Sequence, residues 1–542
     1  MKKYHLLSLL AVIAFYSCND SSDPIGDGPS IAKNITINTD SQSLTTRVKR
    51  DNTGVMALID PDLPTGRLLE VASHLPIIMV SQVEAPVFNG QTLKATHVDI
   101  DGDYAYVSYN TEGSTYLGAV DIFDITNLYS PVITEQAIFT DADISSLEYK
   151  NGILYLAAAV NIDVNTDVTS PANLITVSVA GGKFISDFVY TSLPSYVATD
   201  VANTNSNTAV TSGNDGVIGL FDGSHKPGSS SQMGDLRAVA FGSEKLAVLS
   251  GTSGVHILDP SSLSEVINIP MPADVAGAKR TLDIDNGNLY VAEGAKGAGI
   301  YKMTDGSLIQ KLPIPNNPED VDPSDIVTNA VSVDKNLLFM ANGAAGISIS
   351  DVADLAAIKS LGVLDLDGSS NFLRNEEEFV FVAAGHVGLQ ILKINKSVGS
   401  TDASCAGLPN YNGTAYLNIN MYESAAYSGS SVLKAVNIGG SFLFCGSLAI
   451  EQNLNINSDA IMTVNGSFVF GQYQKNTSLN LGSLSTLKLH GNTVIYGDLK
   501  LNSGSTLEFI GEGNSITVYG SVTVNSGAQI IGKFTDTEGK LK

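Results

Sequence analysis

The chain has 542 residues, 43% hydrophobic and 16% charged, with 51 glycines and no tryptophan. That length suits two or three domains, the apolar content excludes disorder over most of it, and missing tryptophan excludes repeats that need one per unit. With 30 Lys+Arg against 55 Asp+Glu, the net charge of -25 repels a phosphate backbone, so no nucleic acid is expected as a partner.

Lys2 and Lys3 precede an apolar run from Leu6 to Phe15, the length of a signal peptide and short of the roughly 20 residues a spanning helix needs. The run ends Phe15-Tyr16-Ser17-Cys18, a small residue directly before a cysteine. This resembles a bacterial lipoprotein signal, which implies that residues 1–17 are removed and Cys18 is lipidated. The alternative is an ordinary secretory signal. Residues 18–52 read as an acidic, turn-rich tether, and Asp20 and Asp23 resemble, loosely, the surface-display signal of Bacteroidota-type lipoproteins. The resemblance implies a lipid anchor in the outer membrane and a cell-surface location. An acidic body touches the membrane only through its anchor.

Seven copies of one pattern follow. Val107, Leu156, Val210, Val248, Val291, Met340 and Val382 are each preceded, nine residues earlier, by an aliphatic: Val98, Leu147, Val201, Val239, Leu282, Val331 and Leu373. Eleven residues before each anchor stands a polar residue: Thr96, Ser145, Thr199, Arg237, Arg280, Asn329 and Asn371. Five anchors carry glycines three and six residues on, as in Gly251/Gly254 and Gly385/Gly388. The spacing and the short strands predict an all-β, seven-bladed propeller over residues 53–396. The seventh unit lacks a fourth strand, and residues 75–83 read like the last strand of unit one. An N-terminal strand therefore closes the ring. Eight blades stay open, because Arg67 to Val71 is a spare strand.

Tyr104-Ala105-Tyr106-Val107, Leu289-Tyr290-Val291-Ala292-Glu293-Gly294, Val120-Asp121-Ile122-Phe123-Asp124-Ile125 and Gly254-Val255-His256-Ile257-Leu258-Asp259-Pro260 resemble the LVIVD-repeat family of bacterial β-propellers. That resemblance implies the fold and little about function. Unit three departs most, with Asn203 and a polar stretch from Thr204 to Thr208.

Residues 397–431 read as a connection, and 432–542 as a small parallel β-solenoid. Strict alternation dominates there, and a turn recurs after Ile456, Leu481, Leu501 and Val524. An open antiparallel sheet or sandwich is the alternative. Asn457, Asn502 and Asn525 would stack as a ladder, and the charged ending from Lys533 to Lys540 would cap the open end. With Cys18 lipidated, Cys405 and Cys445 either pair as a disulfide or stay as two buried thiols.

The seven histidines lack metal-ligand spacing, and His256 and His386 read as structural. Asp99–Asp103 opens like a calcium loop but lacks the glutamate, and its place in the repeat makes it a β-turn, like Asp283–Asn288. No cofactor is expected, and calcium stays open. The candidate ligand site is the channel mouth, where the seven polar positions would converge and Arg237 with Arg280 would attract a carboxylate or phosphate. The unit-one insertion with Tyr109, Tyr116 and Leu117 is a candidate protein contact. The function expected is a non-catalytic surface lipoprotein that binds or scaffolds, as an accessory subunit of an outer-membrane transport, secretion or assembly complex. The alternatives are a propeller hydrolase or lyase acting on an extracellular polymer, and capture of a small anion at the mouth.

Overall fold

The offset of nine is a hairpin register. Val98 lies opposite Val107, Leu147 opposite Leu156, Val201 opposite Val210, Val239 opposite Val248, Leu282 opposite Val291, Val331 opposite Met340 and Leu373 opposite Val382. A tight turn places an aliphatic pair at the same height in every inner hairpin. Each pair is buried or nearly so against the neighbouring blade. The computed structural model describes residues 34–541, except 51–54, 57, 60–76, 112, 129, 224–226, 272–277, 316–317, 319–320, 395–404, 406 and 473–476. The signal segment, Cys18, the start of the tether and the spare strand Arg67 to Val71 lie outside the described residues.

The fold is a seven-bladed propeller followed by a parallel β-solenoid of about 6 turns. Blade one runs Lys94–Asp101, Tyr104–Asn110, Gly118–Asp124, Val132–Phe139, all antiparallel. Blades two to six repeat that meander, with innermost strands Ala142–Lys150, Ala198–Asn203, Leu236–Gly242, Leu282–Asp285 and Ala330–Asp334. Blade seven takes Phe372–Glu376, Phe379–Ala383 and Leu389–Ile394 from its own repeat and Ile77–Val83 from the N-terminal region.

The second glycine in four of the five glycine turns explains why that borrowed strand fits. A Cβ on Gly254, Gly297 or Gly346 would stand 2.1, 2.0 or 2.3 Å from the outer-strand carbonyl of Ile269, Leu312 or Leu364. On Gly388 it would stand 2.1 Å from the carbonyl of Val83. All four glycines also have positive φ. Val83 therefore occupies the place that the chain's own fourth strand fills elsewhere. The ring shuts with Ala95 N–H donating to Gly385 O at 2.9 Å, as Thr328 N–H does to Gly294 O between blades five and six.

The N-terminal region does more than the sequence suggested. Ile35–Asn38 adds a fifth strand to blade one, Val48–Arg50 extends blade seven, and Leu58–Ile59 pairs with the outer strand of blade six. These short strands cover outer edges that would otherwise present unpaired backbone groups.

The solenoid pairs are parallel throughout, which rules out the antiparallel sheet or sandwich. It begins earlier than expected: Tyr416–Ile419 lies inside the segment 397–431 read as a connection, Ser424–Ile438 starts within it, and the end of that strand already stacks on Tyr416–Ile419 as the next coil. Ile419, Ile438, Ile456, Leu481, Leu501 and Val524 are stacked in register, and the first five are buried. The asparagine ladder is real but broken. Asn437 donates to Asn418 at 2.7 Å and Asn457 to Asn437 at 3.4 Å, while Asn525 donates to Asn502 at 3.2 Å. The gap falls at Gly482, where a Cβ would meet the Asn457–Ser458 backbone at 2.6 Å, so Asn502 turns to Leu481 O instead. At the other end Lys540 Nζ donates to Tyr519 O and Gly520 O. Cys405 and Cys445 are joined, with Cα atoms 5.9 Å apart. Among the described residues no helix is long and apolar enough to cross a membrane.

Candidate functional site at the propeller channel

Lys279 shows how the seven polar positions are related. Its ammonium donates to Thr96 O at 2.7 Å and Ser145 O at 2.9 Å, in blades one and two, while its main-chain N–H donates to Asn329 Oδ1 of blade six at 3.2 Å. One residue leading into blade five can reach blades one, two and six only across a common axis. Asn371 donates to Ala95 O at 3.4 Å, and Thr96 Oγ1 to Ile144 O at 2.9 Å. Arg237 donates to Ala278 O at 3.3 Å. Thr199 bonds Thr211 within its own blade.

The two arginines do not stand open to the mouth as expected. Arg280 is 3% exposed and donates to Ala292 O at 3.1 Å. Arg237 lies against Asp235 at 2.7 Å. The cation that reaches across the channel is Lys279, one residue upstream of the expected position. Burial pulls its ammonium down to about 8, opposed by Asp200. His97 stacks on Phe372 at 3.7 Å, and Lys279 lies over the same ring at 5.1 Å. Burial, then Lys279 and Arg374, holds His97 well below the usual imidazole range, so it is neutral.

The other end of the channel is acidic. Eight residues before the anchors stand Asp99, Glu148, Asp283 and Arg374. Each carboxylate accepts a main-chain N–H from the next blade: Asp99 from Tyr149 at 2.8 Å, Glu148 from Asn203 at 2.8 Å, Asp283 from Val333 at 2.8 Å. Asp200 does the same for Val239 at 3.1 Å and also accepts from Ser146 at 2.6 Å. In unit three the Asn203 side-chain amide adds a second bond to Glu148 at 3.3 Å. Arg374, whose side chain is half-exposed, faces Asp99 at 4.0 Å. Burial opposes its charge, but Asp99, Asp283 and Glu148 hold it protonated. Burial, then the charge of Asp99, pushes Glu148 up to about 8. Asp283, Ser332, Asp334, Lys335, Arg374 and Glu376 line an open cavity of about 450 Å³. The sequence held a signal for this ring, since the position just after the repeated aliphatic is acidic in three units and arginine in a fourth.

The other candidates resolve as follows. Asp99–Asp103 closes a strand and a turn, and among the described residues no three His, Cys, Asp or Glu side chains gather to hold a metal ion. Tyr109 and Leu117 are buried, so the unit-one insertion does not offer them as a contact surface. In blade four, His256 Nε2 meets Ser253 Oγ at 2.8 Å and Nδ1 meets Glu265 Oε2 at 2.5 Å.

No family model matches this chain, and no curated protein does. Among solved structures, it is similar to a chain in a crystal structure of the mitotic checkpoint complex. That match has a TM-score of 0.42 and 10% identity, and covers 61% of this chain and 96% of that one. It is also similar to the computationally designed Ika8 protein, with a TM-score of 0.35 and 10% identity over 58% of this chain and 100% of that one. Likeness at this level says nothing of activity or partner.

Proposed function

We propose that this chain is a cell-surface binding and scaffolding module, held to the outer membrane by a lipid on Cys18 and built on LVIVD-type repeats. The anchor reading rests on the apolar run from Leu6 to Phe15 and the Ser17-Cys18 pair, and the repeat reading on the segments around Val107 and Val291. The observation that carries the binding reading is the acidic channel mouth. It is an open cavity of about 450 Å³ set in a rigid ring, with Asp334, Glu376 and Glu377 against Lys335 and Arg374. Such a mouth suits a basic side chain or loop of a protein partner, steered in by the field of the acidic body. An accessory role in an outer-membrane transport, secretion or assembly complex fits that geometry. The test is crosslinking and co-purification from native membranes, with wild type beside Glu376→Lys/Glu377→Lys. The reading expects a stable outer-membrane partner that the charge-reversed chain loses. Recovery of wild type only as a free monomer contradicts it.

The same mouth supports a second reading, hydrolysis of an extracellular polymer. Burial raises the carboxyl groups of both Glu148, to about 8, and its neighbour Asp99, and a pair of adjacent carboxyl groups is the starting point of acid–base hydrolysis. Loss of polymer cleavage in Glu148→Gln would support it. Anion capture at Arg237 and Arg280 has less behind it, because carbonyls and Asp235 already engage both guanidinium groups.

A further inference from the structure

On the rim of blade four, three side chains stand in an order that neither the channel nor the ring uses. Ser253 lies in the turn between Lys245–Ser250 and Gly254–Leu258 and is exposed. Its Oγ is 2.8 Å from His256 Nε2. The other ring nitrogen, Nδ1, is 2.5 Å from Glu265 Oε2 on the outer strand Glu265–Ile269. Asn268, directly across from His256 in the ladder, approaches the same nitrogen at 3.1 Å. His256 is 7% exposed, while the Glu265 side chain is about half-exposed. The bond to His256 is the main reason the Glu265 carboxyl sits below its usual range.

In the tautomer with the proton on Nδ1, Glu265 accepts that proton's hydrogen bond and Nε2 is left to accept the hydroxyl proton of Ser253. A hydroxyl within hydrogen-bond reach of a base that a third group orients is the arrangement that makes a serine nucleophilic. We infer that Ser253, His256 and Glu265 form a nucleophile, base and orienting carboxylate with serine-esterase chemistry on the rim of blade four. Ser253 Oγ attacks the ester carbonyl carbon while its proton passes to His256 Nε2. The C–O bond to the alcohol then breaks, and the alcohol leaves with that proton. Water next attacks the acyl-serine with His256 again as base, releasing the carboxylic acid and restoring the hydroxyl. Because Ser253 stands exposed at a turn, an acyl ester of a small alcohol or of a polymer hydroxyl can reach it, and that is the substrate class. This chemistry is independent of the binding reading, since it uses none of the channel residues.

The test is labelling of the full chain with a fluorophosphonate, with the adduct located by mass spectrometry. A single adduct on Ser253 is expected, absent in Ser253→Ala. Removing the base in His256→Gln should slow labelling by about 100-fold or more. Glu265→Gln, a change at a half-exposed side chain that leaves the strand pairing intact, should slow it about tenfold or more through the lost tautomer control. No adduct on wild type, an adduct elsewhere, or equal labelling rates in wild type and Glu265→Gln would overturn the assignment and leave His256 as a purely structural tie between two strands. Acetyl ester turnover that follows the labelling across the variants would bear it out.

Discussion

Arg47 grips Asp121 with both guanidinium ends, Nη2 to Oδ2 at 2.6 Å and Nη1 to Oδ1 at 3.2 Å. Asp121 is fully buried in blade one, and Arg47 Nε also donates to Glu84 O, just past the closing strand Ile77–Val83. One side chain thus ties the N-terminal wrap, the end of blade seven and blade one together. Arg47→Met should cost about 3–5 kcal/mol, because it leaves a buried carboxylate without its cation, with the Gln136 amide still donating to it. Denaturant unfolding would measure this, and Arg47→Met/Asp121→Leu should recover most of the loss.

Two glycines at positive φ separate conformation from crowding. Gly287 has φ +76 with nothing within 4 Å of an added Cβ, so Gly287→Ala should cost about 1–2 kcal/mol from backbone strain alone. Gly388 has φ +97 and would press its Cβ against Val83 O at 2.1 Å. Gly388→Ala should therefore cost clearly more and should loosen the closing strand. Parallel thermal unfolding of the two variants checks the order.

Glu148 sets a pH dependence. Its carboxyl is raised from 4.5 to about 8 in the folded chain, so the folded state keeps a proton that the unfolded state releases. Stability should fall as pH rises from about 4.5 to 8, and Glu148→Gln should flatten that decline while still accepting from Asn203. Unfolding midpoints at pH 5 and pH 8 decide it, and an unchanged slope would contradict the assignment.

Lys279 works in the opposite sense. Its ammonium is lowered from 10.5 to about 8 in the fold, so between those values the unfolded state binds the extra proton and stability should rise with pH. Lys279→Met should lose that rise. The same unfolding series carried to alkaline pH provides the check.

The disulfide between Cys405 and Cys445 closes a loop with a separation of 40 residues. On the chain-entropy account, Cys405→Ser/Cys445→Ser should lower solenoid stability by about 4 kcal/mol. Unfolding with and without a reductant should reproduce the variant's loss in the wild type.

The ring was legible because each repeat writes its hairpin register as a fixed offset between two aliphatics, and because glycine is required wherever the outer-strand carbonyl closes in. The N-terminal closing strand was legible for the same reason, since Ile77–Val83 repeats the pattern of Val132–Phe139. The two-residue strand Leu58–Ile59 was not, because two residues carry no period. The first solenoid coil was missed where Tyr416–Ile419 and the start of Ser424–Ile438 lack a full apolar alternation. At the mouth the sequence points to Arg237 and Arg280, whereas the cation that spans the channel is Lys279. Arg237 and Arg280 look available in the sequence, whereas in the fold Asp235 and main-chain carbonyls engage them. Lys279, the one charged residue at its position in the repeat, reaches across instead.

Hydrogen–deuterium exchange across Ile77–Val83 tests the closed ring most directly, since every channel distance depends on that strand completing blade seven. The account predicts amides as slow as those of the outer strands Glu265–Ile269 and Lys359–Leu364, lost together with Leu389–Ile394 when Gly388→Ala is introduced. Rapid exchange in Ile77–Val83 alongside a protected Leu389–Ile394 would contradict it.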